Sequence, residues 1–207
     1  MLTKLKHTYA YTRLNDEPYP EFKNLTADKL GRDKELSNFL TSNSGLSFGD
    51  GLYRIHTLGS SLFWTAIIEN CFSQYKDQVY CFGFDWLGRQ YAKGLGTDIL
   101  YMFDSATFKA FHLKISLESF HNVEMINHPN ETLNYDTFSQ WMDVYGCPLQ
   151  FMESVGFITP LFLGGEDIFE NYEIVETEAD WEISFQLYNQ IKGLPEGTLI
   201  DKIKFKK

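Results

Sequence analysis

Apolar residues fall at helical spacing in five stretches of the chain and gather into short β-like runs between them. Asp33 is placed to cap a helix through residues 35–40, which Asn43 to Gly45 end. Gly49-Asp-Gly then predicts a turn into a strand at 52–56. Ser60 or Ser61 opens a helix to Phe72. It carries two stripes (Trp64, Ile67, Ile68, Cys71, and Leu62, Phe63, Ala66, Ile67), so burial over much of its circumference is expected. Four β-like runs follow at 79–84, 90–92, 98–103 and 108–113, joined by short turns, a pattern that predicts an antiparallel meander.

Ser116 begins another helix, 117 to about 126, stopped by Asn127-His-Pro129. A helix over about 134–145 places Phe138, Trp141, Met142 and Tyr145 on one face, with Gly146 as its stop. Strands are expected at 155–158 and 172–175 around the loop 160–167. Thr177 is read as the cap of a last helix, with Trp181, Phe185, Tyr188 and Ile191 facing the core and Glu178 and Asp180 in its first turn. Residues 199–205 read as a terminal strand with lysines at its tips, and residues 1–32 as an extended arm or short strands. A block of strands with helices on either side gives an α+β fold. Its antiparallel β-meander sheet, 79–113, is packed by several helices, among them 60–72 and 177–191, in a single compact unit.

Composition supports that size of core. The 207 residues are 43% hydrophobic, with 18 Phe, 12 Tyr and 4 Trp, enough apolar area to need neither disulfides nor a structural metal. No apolar run reaches membrane-spanning length, and the start of the chain lacks the apolar stretch of a secretory signal. The three cysteines, Cys71, Cys81 and Cys147, have no paired spacing and read as free thiols of a reducing compartment, so a cytoplasmic location is expected.

Charge changes the picture more. The net charge is −10, yet from Ile115 to Ile191 there are 14 Asp or Glu and no Lys or Arg. Acidic density peaks at Glu166, Asp167, Glu170, Glu173, Glu176, Glu178, Asp180 and Glu182. Such a surface repels nucleic acid and attracts cationic partners, or serves only solubility.

No catalytic constellation emerges. The five histidines lack zinc spacing, and no Gly-x-Ser-x-Gly elbow, phosphate-binding glycine loop or His-Glu-x-x-His occurs. Gly164-Gly165 before Glu166-Asp167 could suggest a metal-binding loop, but turn chemistry explains the pair as well. Asp85, ahead of Trp86 and Arg89, reads as a turn-stabilising carboxylate paired with Arg89. Catalytic residues, metal ligands and cofactors are therefore expected to be none.

Three segments in order carry a resemblance: Gly49-Asp-Gly-Leu-Tyr-Arg-Ile-His56, Phe84-Asp-Trp-Leu-Gly-Arg-Gln-Tyr91 and Pro160-Leu-Phe-Leu-Gly-Gly-Glu-Asp167. With the closing stretch from Trp181-Glu to Thr198, they resemble bacterial immunity proteins that neutralise DNase effectors of the type VI secretion system. The likeness covers roughly residues 34–200. More loosely, the layout is similar to the SMI1/KNR4-like immunity group. The resemblance implies a 33–75 region similar to the GAD domain and a 76–207 conserved module, following a 1–32 arm. It also implies a protein that binds a cognate toxin, expected to be a cationic nuclease, without touching nucleic acid or membrane. On that reading Glu166, Asp167, Glu170, Glu173, Glu178 and Glu182 contribute to partner binding, while Tyr53, Arg54, Asp85, Trp86 and Arg89 hold the fold. A non-enzymatic regulatory or scaffold module is the alternative, and a metal-assisted hydrolase around Glu166 and Asp167 a further one.

Overall fold

The computed structural model describes residues 2–23, 25, 27–195, 197, 198 and 200. Its first part runs through helix α1 (Thr3–Thr8), strand β1 (Tyr11–Arg13) and three helices, α2 (Pro20–Lys23), α3 (Ala27–Leu30) and α4 (Lys34–Asn43). Asp33 caps α4 as its position suggested, its carboxylate accepting from the Leu36 amide at 3.0 Å. Strands β2 (Leu46–Phe48) and β3 (Tyr53–Ile55) flank the Gly49–Gly51 turn. There Gly51 has φ +99°, and an added Cβ would lie 2.7 Å from the Leu149 side chain, so only glycine fits. Helix α5 (Leu58–Cys71) leads into the meander β4 (Val79–Asp85), β5 (Gln90–Gly94), β6 (Leu100–Asp104) and β7 (Lys109–Leu113). After it come α6 (Leu117–Ser119), a π-helical turn at Phe120–Glu124, α7 (Met125–Asn127), α8 (Pro129–Leu133) and α9 (Tyr135–Tyr145). The chain closes with β8 (Glu153–Phe157), β9 (Tyr172–Glu176) and α10 (Thr177–Ile191).

Strands β1 to β7 form one antiparallel sheet whose spatial order is their order in the chain, and β8 and β9 form a separate hairpin. Both faces of the sheet are covered. Tyr80, Phe82, Tyr91 and Leu100 pack with Phe39 of α4 and with Leu117, Phe120 and Met125. Val79, Cys81, Ala92 and Phe103 pack on the other side against Trp64 and Ile68 of α5 and Trp181 of α10, the two indoles 6.1 Å apart. Every side chain of β4 is buried, which explains why its sequence reads as a continuous apolar run. The expected α+β meander packed by helices is the observed architecture.

Several local expectations are corrected. Residues 1–32 are not simply extended: β1 pairs with β2 as an edge of the sheet, and Leu2, Leu5, Tyr19 and Leu30 are buried. Thr57, not Ser60 or Ser61, caps α5, its hydroxyl accepting from the Ser60 amide at 3.1 Å. The serines serve the sheet instead. Strand β3 has only three residues, too few to pair the start of β4, and α5 takes over the vacant side. Ser61 donates its hydroxyl to the Cys81 carbonyl, and Thr65 accepts from the Cys81 amide at 3.0 Å. That polar contact rotates α5, so Ala66 is exposed and Phe63 and Ile67 are only half-buried. Thr177 is the first helical residue rather than a cap, donating to the Met152 carbonyl at 3.0 Å. Tyr145 is half exposed. The strand expected at 199–205 lies outside the described residues apart from Ile200.

Candidate functional site

The acidic candidates ride on the β8–β9 hairpin, the loop before β9 and the first turns of α10. Gly164 has a left-handed φ of +88°, and Gly165 passes so close to the Thr159 carbonyl that no side chain fits there. Asn171, which sequence reasoning passed over, clamps the loop. Its amide donates to the carbonyls of Thr159 and Glu166, both at 2.9 Å, and its side-chain oxygen accepts from the Thr159 amide at 2.8 Å. The Gly-Gly pair thus shapes a turn, and Asp167 accepts a hydrogen bond from the Tyr172 hydroxyl. Glu166, Asp167 and Glu170 are exposed together on this loop.

Glu173 is exposed on β9, while Glu178 and Glu182 stand one turn apart on α10. Glu182 is exposed. Glu178 is half-buried and accepts from the Tyr19 hydroxyl at 3.0 Å, so it also ties the N-terminal segment to α10. Asp180 stands in the first turn of α10, as expected, but is largely buried there. Burial, with Asp104 and Glu173 nearby, pushes its carboxyl up to about 6, against the hydrogen bond that Ser105 donates at 2.9 Å. The burial of Asp180 outweighs the dipole.

The motif residues occupy the interior. Asp85 is wholly buried, taking the Leu87 and Arg89 amides at 3.1 Å, the Tyr91 hydroxyl at 3.0 Å and Arg89 Nε at 2.6 Å. Trp86 donates its indole N–H to the Leu133 carbonyl at 2.8 Å, and its backbone oxygen accepts from Val155 at 2.7 Å. Among the described residues, Arg54 has no carboxylate within ion-pair distance. Its guanidinium donates to the carbonyls of Gln150 at 2.7 Å, Asp85 at 3.1 Å and Glu153, stacks over Phe84 at 4.4 Å, and is lowered by burial to about 9. It pins residues 150–153 to β3.

Two histidines are fully buried and neutral by geometry. His121 donates from Nδ1 to the Leu117 carbonyl at 2.7 Å, which leaves Nε2 to accept from the Tyr53 hydroxyl at 2.9 Å. His56 donates from Nε2 to Gln90 Oε1 at 2.9 Å and accepts from Ser60 at 3.1 Å. Ser60, His56 and Gln90 are all completely enclosed, so the chain of hydrogen bonds is a core network that no substrate reaches. Among the described residues, no group of three His, Cys, Asp or Glu side chains is placed to hold a metal ion. No helix among them is long and apolar enough to cross a membrane.

Neither a family model nor a curated protein matches the sequence. Among solved structures, the chain is similar to the crystal structure of Atu4351 from Agrobacterium tumefaciens, with a TM-score of 0.62 and 16% identity over 90% of this chain and 89% of that one. At that identity the likeness establishes the fold alone.

Proposed function

We propose that this chain is an immunity protein that binds and occludes a cognate secreted toxin, a cationic nuclease of the type VI secretion kind, in the cytoplasm of the producing cell. One observation carries the reading. The carboxylates paired by Lys29, Arg89 and Lys93 (Asp33, Glu35, Glu69, Asp77 and Asp85) all come from the first half of the chain, while Glu166, Asp167, Glu170, Glu173 and Glu182 face solvent on a backbone held by Asn171 and α10. A DNase must carry cationic groups for DNA phosphates, and fixed, outward carboxylates imitate those phosphates. Occlusion needs no catalytic group on this chain.

The test is binding and inhibition of the protein encoded in the neighbouring reading frame. One-to-one association that blocks DNA cleavage and weakens with salt is expected, with slower association when Glu166→Gln, Asp167→Asn and Glu170→Gln are combined. Binding indifferent to both salt and the triple substitution overturns the acidic-face reading.

A further inference from the structure

Helix α5 spends its hydroxyl-bearing side on the sheet. With Ser61 and Thr65 bonded to Cys81, and Trp64 and Ile68 buried beside them, the stripe Phe63, Ile67 and Cys71 is left half-buried at the surface. Helix α10 runs alongside, with Trp181 buried beneath and Phe185 half-buried. Between the two helices lies an open groove of about 380 Å³ with an apolar floor. Its α10 edge carries Glu178 and Glu182, and neither α5 nor α10 contains a Lys or Arg. Tyr19 stacks on Phe63 at 3.9 Å and donates to Glu178, and Glu176 and Glu21 lie near enough to raise its phenol further. The groove is therefore apolar below and anionic along its α10 edge.

We propose that the groove between α5 and α10 seats an amphipathic segment of a partner protein, its apolar side chains on Phe63, Ile67 and Phe185 and its Lys or Arg against Glu178 and Glu182. This narrows the partner-binding reading above, on which it rests, to one contact. Residues Phe63, Ile67 and Cys71 span two turns of α5, about 12 Å, the length over which a partner helix presents positions i, i+4 and i+7. Charge argues against two other kinds of occupant. A second copy docking symmetrically would set Glu178 and Glu182 against themselves, and an anionic membrane or nucleic acid meets the same repulsion.

Two 18-residue peptides test the groove on the whole chain, a Leu/Lys amphipathic helix and the same sequence with Glu for Lys. The Lys peptide is expected to bind one-to-one, with affinity falling at least tenfold on Ile67→Gln, on Glu182→Lys and on raising salt. The Glu peptide should not bind. Cys71 gives a readout that leaves the groove intact: in a Cys147→Ser chain, the Lys peptide should slow alkylation of Cys71 at least tenfold. Equal binding of both peptides, or unchanged Cys71 alkylation at saturation, overturns the proposal. Toxin binding that responds to the Glu166, Asp167 and Glu170 substitutions but ignores Ile67→Gln would remove the groove and leave the broader reading standing.

Discussion

The indole nitrogen of Trp181 donates to the carbonyl of Gly88 at 2.9 Å, joining the last helix to the turn between β4 and β5. The ring itself is fully enclosed, within 6.4 Å of Phe72 and Phe108 and 6.1 Å of Trp64. With Trp64 and Ile68 of α5, this side chain covers the face of the sheet opposite α4.

Trp181→Ala should cost about 3–5 kcal/mol, because it opens a cavity among packed rings and leaves the Gly88 carbonyl with only the Gln90 amide, at 3.2 Å, as a side-chain donor. Trp181→Phe should cost less, since much of the volume remains. Urea unfolding of the two variants checks the order. A Trp181→Ala chain as stable as the parent would contradict the packing described.

Arg89→Met should cost about 3–5 kcal/mol, since it strands the wholly buried Asp85 carboxylate beside an apolar chain. The Tyr91 hydroxyl and two backbone amides remain as its donors. Adding Asp85→Asn removes the charge and should recover part of the loss. Equal stability of the single and double variants in a denaturant titration would show that the charge is not what costs.

Asp180→Asn should stabilise the protein at pH 7. The folded carboxyl is raised to about 6 from 3.8, so ionising it opposes folding, by at most about 3 kcal/mol once the pH exceeds both values. Below pH 3.8 the acid is protonated folded and unfolded, and the advantage of the variant should vanish. Denaturant midpoints of both chains between pH 4 and 8 measure this, and a pH-independent difference would refute the shift.

The histidines act with the opposite sign. Burial lowers His56 to about 3 and His121 to about 4 from 6.5, so the unfolded chain takes up protons first on acidification. Stability contributed above pH 6.5 is lost as the pH falls toward those folded values, about 2 kcal/mol per histidine by pH 5. This exceeds what Asp180 returns over the same range. The unfolding midpoint should therefore drop between pH 7 and 5, and His121→Gln should flatten that slope.

The meander was legible because its strands are short, β-rich and separated by tight turns, and β4 is apolar on both faces. Asp33, Gly146 and the Asp85–Arg89 pair were legible for the same local reason, since each acts within five residues of its own position. What escaped was non-local. Nothing near Ser61 or Thr65 announces that both serve the backbone of Cys81, so α5 buries Trp64 and Ile68 of its expected stripes together with hydroxyls, and leaves Phe63, Ile67 and Cys71 half-buried. Tyr19 likewise reaches Glu178 across 159 positions, which hides the role of the N-terminal segment. The acidic candidates could be named from composition, but the fold divides them between one loop, one strand and one helix face.

The sheet order that follows the chain order has a consequence for synthesis on the ribosome. Each strand from β2 onward pairs with one that has already emerged, so the sheet can be laid down vectorially with no strand waiting for a later neighbour. The exception is its second face. Trp64, Phe72, Phe103 and Phe108 share their cluster with Trp181, which is translated after all seven strands are complete. Until α10 has been made, α5 covers that face of the sheet without Trp181, and the cluster is completed only by the last helix described.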